Sequence, residues 1–468
     1  MLFSSMTFLF VFMPLVMAVY FLSKKEIRNY VLLIASIIFY AWGEPRYLAI
    51  MIITILVNYA GAILLDKHYS SRQRLWIVSL TIVLDLSFLF YFKYFNFVVD
   101  NINGILATDF QLLDVIMPIG ISFYTFQAMS YLIDVYRREV SAQKDVYKLA
   151  LYIVLFPQLV AGPIVKYHDV CEQIDNRTIE FKNVIIGFKR FITGLAKKVL
   201  IANTLAEVVD KIFAQAPENL TTGVSWLGAV AYCLQLYYDF SGYSDMAIGL
   251  GLMFGFRFLE NFNYPYISKS ITEFWRRWHI SLATWFKLYL YIPLGGNRKG
   301  AVRTYWNLFA VFLVTGIWHG AAWSYVAWGI WNGIFIVIER FFGLDKDKND
   351  RWYVSAAKHV YAFFAIVWGM IIFRAESLSY AYEYICRMLH IDVTKHLPDY
   401  DYGVNNKFAI MLIVGLICAM PVCRNLIYIK YEHKVQRTLV NIWLFLLFFW
   451  STISLAASTY NPFIYFRF

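Results

Sequence analysis

The stretch of residues 304–338 reads TYWNLFAVFLVTGIWHGAAWSYVAWGIWNGIFIVI and contains no Asp, Glu, Lys or Arg. Apolar runs of this kind predict membrane-spanning helices, and we expect two of them here, over residues 304–318 and 321–338. His319 lies where the two predicted spans meet, between a tryptophan and a glycine. Because an ionisable side chain at membrane depth is costly, His319 is a candidate functional residue.

The rest of the chain has the composition of a membrane protein. Of its 468 residues, 60% are hydrophobic, 19% are aromatic and only 16% are charged, whereas soluble domains carry about 25% charged residues. This composition excludes a soluble enzyme, a secreted disulfide scaffold and a disordered polymer. We attribute the net charge of +11 to cytoplasmic loops that face anionic headgroups, so membrane lipids and not nucleic acid are the expected partner.

The apolar runs and the loop charges predict an all-α, multi-pass membrane protein with its N-terminus outside. Basic residues are concentrated in alternate loops. They come after the first apolar run, whereas a signal peptide has its basic residues before the apolar run. Residues 149–165, interrupted by Pro157, are predicted to form a re-entrant segment. Residues 1–468 are expected to form a single domain. The predicted spans are residues 7–22, 30–42, 47–65, 75–92, 115–135, 224–238, 244–256, 304–318, 321–338, 360–373, 408–422 and 440–457.

Residues 260–303 hold seven basic side chains against two acidic ones, an unusual density for this chain. The spacing of Ser270 and Glu273 is that of a capping box, and it predicts a helix with one aromatic face that ends at Pro293. Such a helix can lie along the membrane interface with its arginines towards water. That interpretation does not account for His279, which lies within the same segment.

Two interpretations of His319 stay open at this point. A buried neutral imidazole can bond to a neighbouring helix, or it can act as a general base, because imidazole titrates near neutrality and both accepts and returns a proton. We expect no metal, since the chain has no His-x-x-x-His pair and no carboxylates at ligand spacing beside His279 or His319. The five cysteines are scattered and are expected to be packed thiols.

A polar cluster at residues 237–245 lies between two apolar runs and includes Asp239, Ser241 and Asp245. Carboxylates at membrane depth require partners, and Arg257 or the basic residues after it are the expected ones. We favour this structural role over direct proton transfer.

Four motifs together resemble the membrane-bound O-acyltransferases. They are FPQLVAGPI at residues 156–164, YDFSGYSDMA at 238–247, FWRRWHISL at 274–282 and GIWHG at 316–320. The similarity is strongest to the branch that includes alginate O-acetyltransferase and other bacterial polysaccharide and peptidoglycan O-acetyltransferases. It extends over nearly the whole chain.

The resemblance implies a ring of about 11 or more transmembrane helices around a thin centre with re-entrant segments. A cytoplasmic tunnel and an extracellular funnel would meet near the family's histidine, which corresponds to His319, with His279 at a second polar position on the cytoplasmic side. The implied location is the inner (cytoplasmic) membrane.

The resemblance also implies the reaction. The donor would be a cytoplasmic thioester, with acetyl-CoA favoured and an acyl carrier as the alternative, and no cofactor would be tightly bound. The acetyl group would reach an extracytoplasmic polysaccharide through a hydrolase-like partner protein; transfer of D-alanine or another acyl group is the alternative. The residues whose charge suits the donor's phosphates are Arg276, Arg277, Lys287, Arg298 and Lys299.

The C-terminal residues 460–468 resemble an aromatic motif of the same branch, expected at the outer face. Tyr465 is the candidate to carry the acyl group as a relay, which would require a nearby base such as His319, because a phenol has a pKa near 10. The alternative is that these aromatic side chains only anchor the chain at the membrane interface.

Two further functions compete with acyl transfer. A polysaccharide exporter or proton-coupled transporter would use His319, Asp239 and Asp245 as a path through the membrane, although the chain shows none of the internal repeats common in such carriers. A scaffold that only recruits the extracellular partner is the second.

Overall fold

The computed structural model describes residues 1–67, 70–160, 162–344, 350–390, 400–423, 434–458 and 460–463. Within these residues the chain forms α-helices, short π- and 3-10 turns and no strand. The expectation of an all-α protein is therefore confirmed for the described part of the chain. We number its α-helices α1 to α20 in chain order.

The chain divides into two compact units. The first unit comprises Met1–Phe191 and Ser244–Leu259, and the second comprises Ile192–Tyr243 and Glu260–Phe468. The helices that begin in the first unit are α1 Met13–Leu22, α2 Arg28–Ala41, α3 Leu48–Asp66, α4 Ser71–Leu89, α5 Phe95–Leu106, α6 Ile121–Arg137, α7 Val146–Val154, α8 Phe156–Leu159, α9 Tyr167–Asn176 and α10 Phe181–Ala196.

The second unit contains the remaining helices and the candidate histidines. They are α11 Asn203–Phe213, α12 Thr222–Met253, whose C-terminal part belongs to the first unit, α13 Ile271–Arg277, α14 Ile280–Phe286, α15 Ala301–His319, α16 Trp323–Phe342, α17 Trp352–Arg374, α18 Leu378–Met388, α19 Asn406–Cys418 and α20 Lys434–Ala457.

Four helical stretches of the described residues are long and apolar enough to cross a membrane. They are Pro45–Asp66, Ser71–Leu106, Trp352–Arg374 and Val435–Ala457. Shorter apolar helices cover Phe8–Leu22, Arg28–Ala41 and Asn406–Cys418. Large apolar side chains such as Leu80 and Phe445 are exposed on these stretches, as expected of surfaces in contact with lipid acyl chains.

Helix α12 differs from the prediction. We expected separate spans over residues 224–238 and 244–256, but the chain forms one helix of 32 residues from Thr222 to Met253. The polar cluster does not interrupt it, because its carboxylates are paired with Lys198 and Arg190 from other segments. A helix hydrogen-bonds its own backbone, so polar side chains alone do not end it when partners neutralise them.

The helix predicted from Ser270 to Pro293 also differs from the prediction. Half of the predicted capping box is present: the Ser270 side chain accepts the Glu273 N–H at 3.0 Å, whereas the Glu273 carboxylate accepts the N–H of Lys269 and not that of Ser270. The helix then stops at Arg277 and resumes at Ile280. His279 occupies the break.

Helices α15 and α16 cross at very short range in the second unit. A Cβ atom added at Gly329 would lie 2.6 Å from the Phe312 carbonyl oxygen and 3.1 Å from the Gly316 Cα. Small residues allow membrane helices to approach this closely. The crossing brings the C-terminal end of α15, where His319 lies, against Trp328 of α16.

Candidate active site

An aromatic cavity in the second unit holds His319. The cavity is narrow, and the His319 side chain is buried in its wall. The lining residues come from helices α12, α13, α15, α16 and α17 and from the break after α13: Leu236, Phe240, Trp275, Trp278, His319, Trp328, Met370 and Phe373.

Three aromatic rings fix the orientation of the His319 imidazole. Trp328 and Phe373 meet it edge to face, with ring centroids 5.0 and 5.1 Å away and interplanar angles of 88°. The indole of Trp318 lies 4.9 Å away. Rings packed in this way restrict the rotamers of the imidazole, and they leave an apolar surrounding in which few water molecules compete with a reactant.

The backbone of His279 is in the left-handed region, with φ 45° and ψ 54°. This conformation costs a residue with a Cβ atom about 1–2 kcal/mol. Backbone contacts to Asn261 hold it, since the Ile280 N–H donates to the Asn261 carbonyl at 2.9 Å. The break turns the His279 side chain inward, where it is 1% exposed.

Asn261 also determines which nitrogen of His279 carries a proton. The Ser281 N–H and hydroxyl donate to Asn261 Oδ1 at 3.1 and 2.9 Å, so this atom is an acceptor. His279 Nδ1 lies 3.2 Å from the same oxygen and must donate to it. In a neutral imidazole the other nitrogen, Nε2, then carries a lone pair and no hydrogen.

Phe240 connects the two histidines. Its ring meets the His279 imidazole at right angles with centroids 4.5 Å apart, and it lines the cavity that holds His319. Trp278, directly before His279, lines the same cavity. The structure therefore brings the two predicted histidines to the same aromatic cluster.

A family model for the membrane-bound O-acyltransferases (MBOAT) matches residues 34–378, well over half of the sequence. The chain belongs to this family. It is an acyltransferase, as the motifs had predicted.

Individual relatives of this MBOAT chain are similar over most of their length. It is 42% identical to the probable alginate O-acetylase AlgI of Pseudomonas putida, over the whole of both chains. It is 48% identical to the protein of the same name from Pseudomonas aeruginosa, over 82% of this chain and 74% of that one. The peptidoglycan O-acetyltransferase of Helicobacter pylori is 32% identical, over 93% of this chain and 89% of that one.

A buried glutamate that sequence reasoning missed positions α13 in this MBOAT chain. The Glu339 carboxylate, 0% exposed, accepts the N–H groups of Ile271 and Thr272 at 2.5 and 2.8 Å and the Thr272 hydroxyl at 2.6 Å. The Tyr361 hydroxyl donates to it at 3.0 Å. A carboxylate at a helix N-terminus satisfies donors that lack partners within the helix.

The five predicted donor-binding residues separate into two groups. Arg276, Lys287, Arg298 and Lys299 are exposed. Arg277 is half-buried, forms an ion pair with Glu273 at 2.8 Å and donates to the Asn263 carbonyl at 3.1 Å. Arg277 therefore stabilises the local fold, whereas the other four residues are accessible to a solute.

The two carboxylates of the polar cluster have partners other than Arg257, so that expectation was wrong. Within the second unit Asp239 pairs with Lys198 at 2.6 Å, and within the first unit Asp245 pairs with Arg190 at 2.8 Å. Lys198 and Arg190 lie in segments other than α12. Sequence spacing does not distinguish them from the other basic residues of the chain. Ser241 is buried on α12.

The remaining predicted features are partly visible. Tyr465 lies outside the described residues. Among the residues that are described, no three His, Cys, Asp or Glu side chains form a group that suits a metal ion. Four of the cysteines are not in disulfide bonds: Cys171, Cys233, Cys386 and Cys418.

We expect the substitution Glu339→Gln to destabilise α13. The glutamine amide presents its NH2 group to backbone donors that need acceptors, at a cost on the order of 2 kcal/mol. The thermal midpoint of the purified protein in detergent should fall and acyl transfer should decrease, because Trp275 and Trp278 are displaced. Tyr361→Phe is the matched control, since it removes one donor and leaves the helix N-terminus satisfied. An unchanged midpoint in Glu339→Gln would show that Glu339 does not hold the helix.

Proposed function

We propose that the protein moves an acetyl group from a cytoplasmic thioester, acetyl-CoA, to an extracytoplasmic polysaccharide through a hydrolase-like partner acyltransferase. The observation that carries the proposal is His319, an ionisable side chain at the end of an apolar helix that lines an aromatic cavity. The names of the relatives, which specify alginate and peptidoglycan, support a carbohydrate polymer as the acceptor.

In the proposed reaction His319 acts as a general base. It removes the proton of an attacking hydroxyl, whose oxygen forms a bond to the acyl carbon while the carbon–sulfur bond breaks, and the proton then goes to the departing thiolate. The aromatic walls reduce loss of the thioester to hydrolysis. No other reactant is needed to balance the step.

His279 is better suited to accept a proton at a second position than to donate a hydrogen bond to the oxyanion. Its Nδ1 hydrogen is directed at Asn261, so Nε2 donates only after the ring has been protonated. We therefore assign the support of the oxyanion to a neighbouring donor and not to neutral His279.

The proposal extends to the membrane architecture. We propose the inner membrane, an external N-terminus and a ring of helices whose thin centre joins a cytoplasmic tunnel to an outer funnel. The shorter apolar helices support a thin centre, because a straight helix needs about 20 residues to cross about 30 Å and Asn406–Cys418 has 13. Tyr465 is proposed as the acyl relay at the outer side.

Transfer of D-alanine or another acyl group is the alternative within the same chemistry. A polysaccharide exporter is the alternative from a different class. Within the described residues both carboxylates of the polar cluster are held in ion pairs, which favours a structural role for them over a conducting path.

We predict that His319→Ala lowers the ester content of the cell surface by at least about 100-fold, because the general base is lost. The measurement is base-released acetate per unit of polysaccharide, with membrane levels of the protein checked in parallel. His359→Ala, at an exposed histidine, is the control and should keep the parental ester content. Unchanged ester content in His319→Ala contradicts the enzymatic role, and loss of secreted polymer of every kind indicates an exporter.

We predict that Arg276→Ala raises the KM for acetyl-CoA about tenfold at low ionic strength, as expected for the loss of one charge-assisted hydrogen bond to phosphate. The effect should decrease as salt is added, since the site is exposed. Arg277→Ala is the matched neighbour: it should lower the thermal midpoint and leave the salt dependence of KM as in the parent. A KM for Arg276→Ala equal to that of the parent at every ionic strength removes Arg276 from donor binding.

We predict an acetyl ester on Tyr465 when labelled acetyl-CoA is supplied without the extracytoplasmic partner, because the acceptor that would clear it is absent. Peptide mass spectrometry of the C-terminal fragment provides the measurement. Tyr460→Phe, at a neighbouring tyrosine, should leave the ester in place, whereas Tyr465→Phe should remove it. Full transfer activity in Tyr465→Phe would exclude the relay.

A further inference from the structure

A buried ion pair in the second unit holds the beginning of the C-terminal motif. The ammonium of Lys198, 1% exposed, lies 2.6 Å from Asp239 Oδ1 and donates to Asn203 Oδ1 at 3.0 Å and to the Pro462 carbonyl. Asn203 and Pro462 thus accept hydrogen bonds from the ammonium, and the Asp239 carboxylate neutralises its charge as an ion-pair partner. The Pro462 carbonyl is one of the partners that a charge in this position requires.

The residues on either side of Pro462 are also bound. The Asn203 side-chain NH2 donates to Asn461 Oδ1 at 3.1 Å. Phe463 is 3% exposed, and its ring lies 4.9 Å from that of Tyr243. Residues 461–463 thus each have their own contact with the second unit.

The face of α12 that carries these contacts adjoins the face that lines the aromatic cavity. Gln235, Asp239 and Tyr243 follow one another at intervals of four residues and form one stripe, of which Gln235 and Asp239 line a small polar cavity beside Pro462. Leu236 and Phe240, each one position further along, line the cavity of His319. One position corresponds to a rotation of about 100° around the helix.

We propose that Lys198 and Asp239 are positioning residues that anchor the C-terminal segment beside the aromatic cavity. The inference rests on the proposed function, in which Tyr465 carries the acyl group. Tyr465 follows Phe463 by two residues in the sequence. An anchor at residues 461–463 therefore limits, through chain connectivity, the region that a relay two residues further on can reach.

The test separates anchoring from folding by neutralising both charges together. Lys198→Met/Asp239→Leu leaves no unpaired charge, and buried ion pairs replaced by apolar side chains of similar size often keep their stability. The probe of anchoring is Phe463→Cys, placed in the parent and in the double variant, with alkylation of position 463 by a soluble maleimide followed by peptide mass spectrometry. Arg190→Met/Asp245→Leu is the matched control, because it removes the other buried pair carried by α12.

We expect the rate of alkylation at position 463 to rise at least tenfold in Lys198→Met/Asp239→Leu and to stay at the parental value in the control pair. Activity is measured in proteins that keep Phe463. There the kcat for acetyl transfer should be at least tenfold lower in Lys198→Met/Asp239→Leu than in the parent, with little change in the KM for the thioester. Rapid alkylation already in the parent, or continued protection in the double variant, overturns the anchor. Faster alkylation with unchanged transfer overturns its positioning role.

A second measurement uses the native ion pair, in case the double variant does not fold. Deletion of residues 461–468 removes an acceptor from the buried ammonium and should lower the thermal midpoint of the otherwise unaltered protein. An unchanged midpoint overturns the anchor. Failure of the proposed function is distinguishable, because it would appear as retained ester formation in His319→Ala, whereas alkylation and thermal midpoint report on anchoring whatever the chemistry is.

Discussion

The Glu339 carboxylate is the interaction on which the geometry of the candidate site depends. It is fully buried, and it accepts two backbone N–H groups at the start of α13 together with two hydroxyls. A carboxylate in such surroundings is stable only when donors satisfy it, and the first turn of a helix supplies donors with no partner of their own. Helix α13 is thereby fixed to α16, and Trp275 and Trp278 take their places in the cavity wall.

A second contact also fixes α13 to α16. The indole N–H of Trp275 donates to the Asn332 side chain at 3.0 Å, about two turns before Glu339 on α16. The close crossing of α15 and α16 at Gly316 and Gly329 then brings the end of α15 to this wall. These three contacts position the end of α15, and the rings of Trp318, Trp328 and Phe373 then orient the His319 imidazole.

The sequence allowed the class of protein and the helix start at Ser270 to be predicted, because each depends on local composition or spacing, and the catalytic roles of His279 and His319 stay predictions. The break at His279 was not predicted, since a left-handed backbone is usually indicated by glycine or asparagine and neither is present there. The continuity of α12 was missed for a different reason: the partners of Asp239 and Asp245 are about 40–55 residues away in sequence, at Lys198 and Arg190. Glu339 ends an apolar run, and only tertiary structure shows that it caps a helix 67 residues earlier.

The two histidines are held by different means, and this difference supports different roles. Asn261 accepts from Nδ1 of His279 and fixes its tautomer, while the strained backbone at His279 is maintained by the neighbouring bond from Ile280 to the same asparagine. His319 packs against the rings of Trp318, Trp328 and Phe373, which restrict the plane of the imidazole. A base that must accept a proton from one reactant and return it to another needs contact with both, and of the two histidines it is His319 that lines the aromatic cavity. The geometry therefore favours His319 over His279 as the residue that transfers the proton.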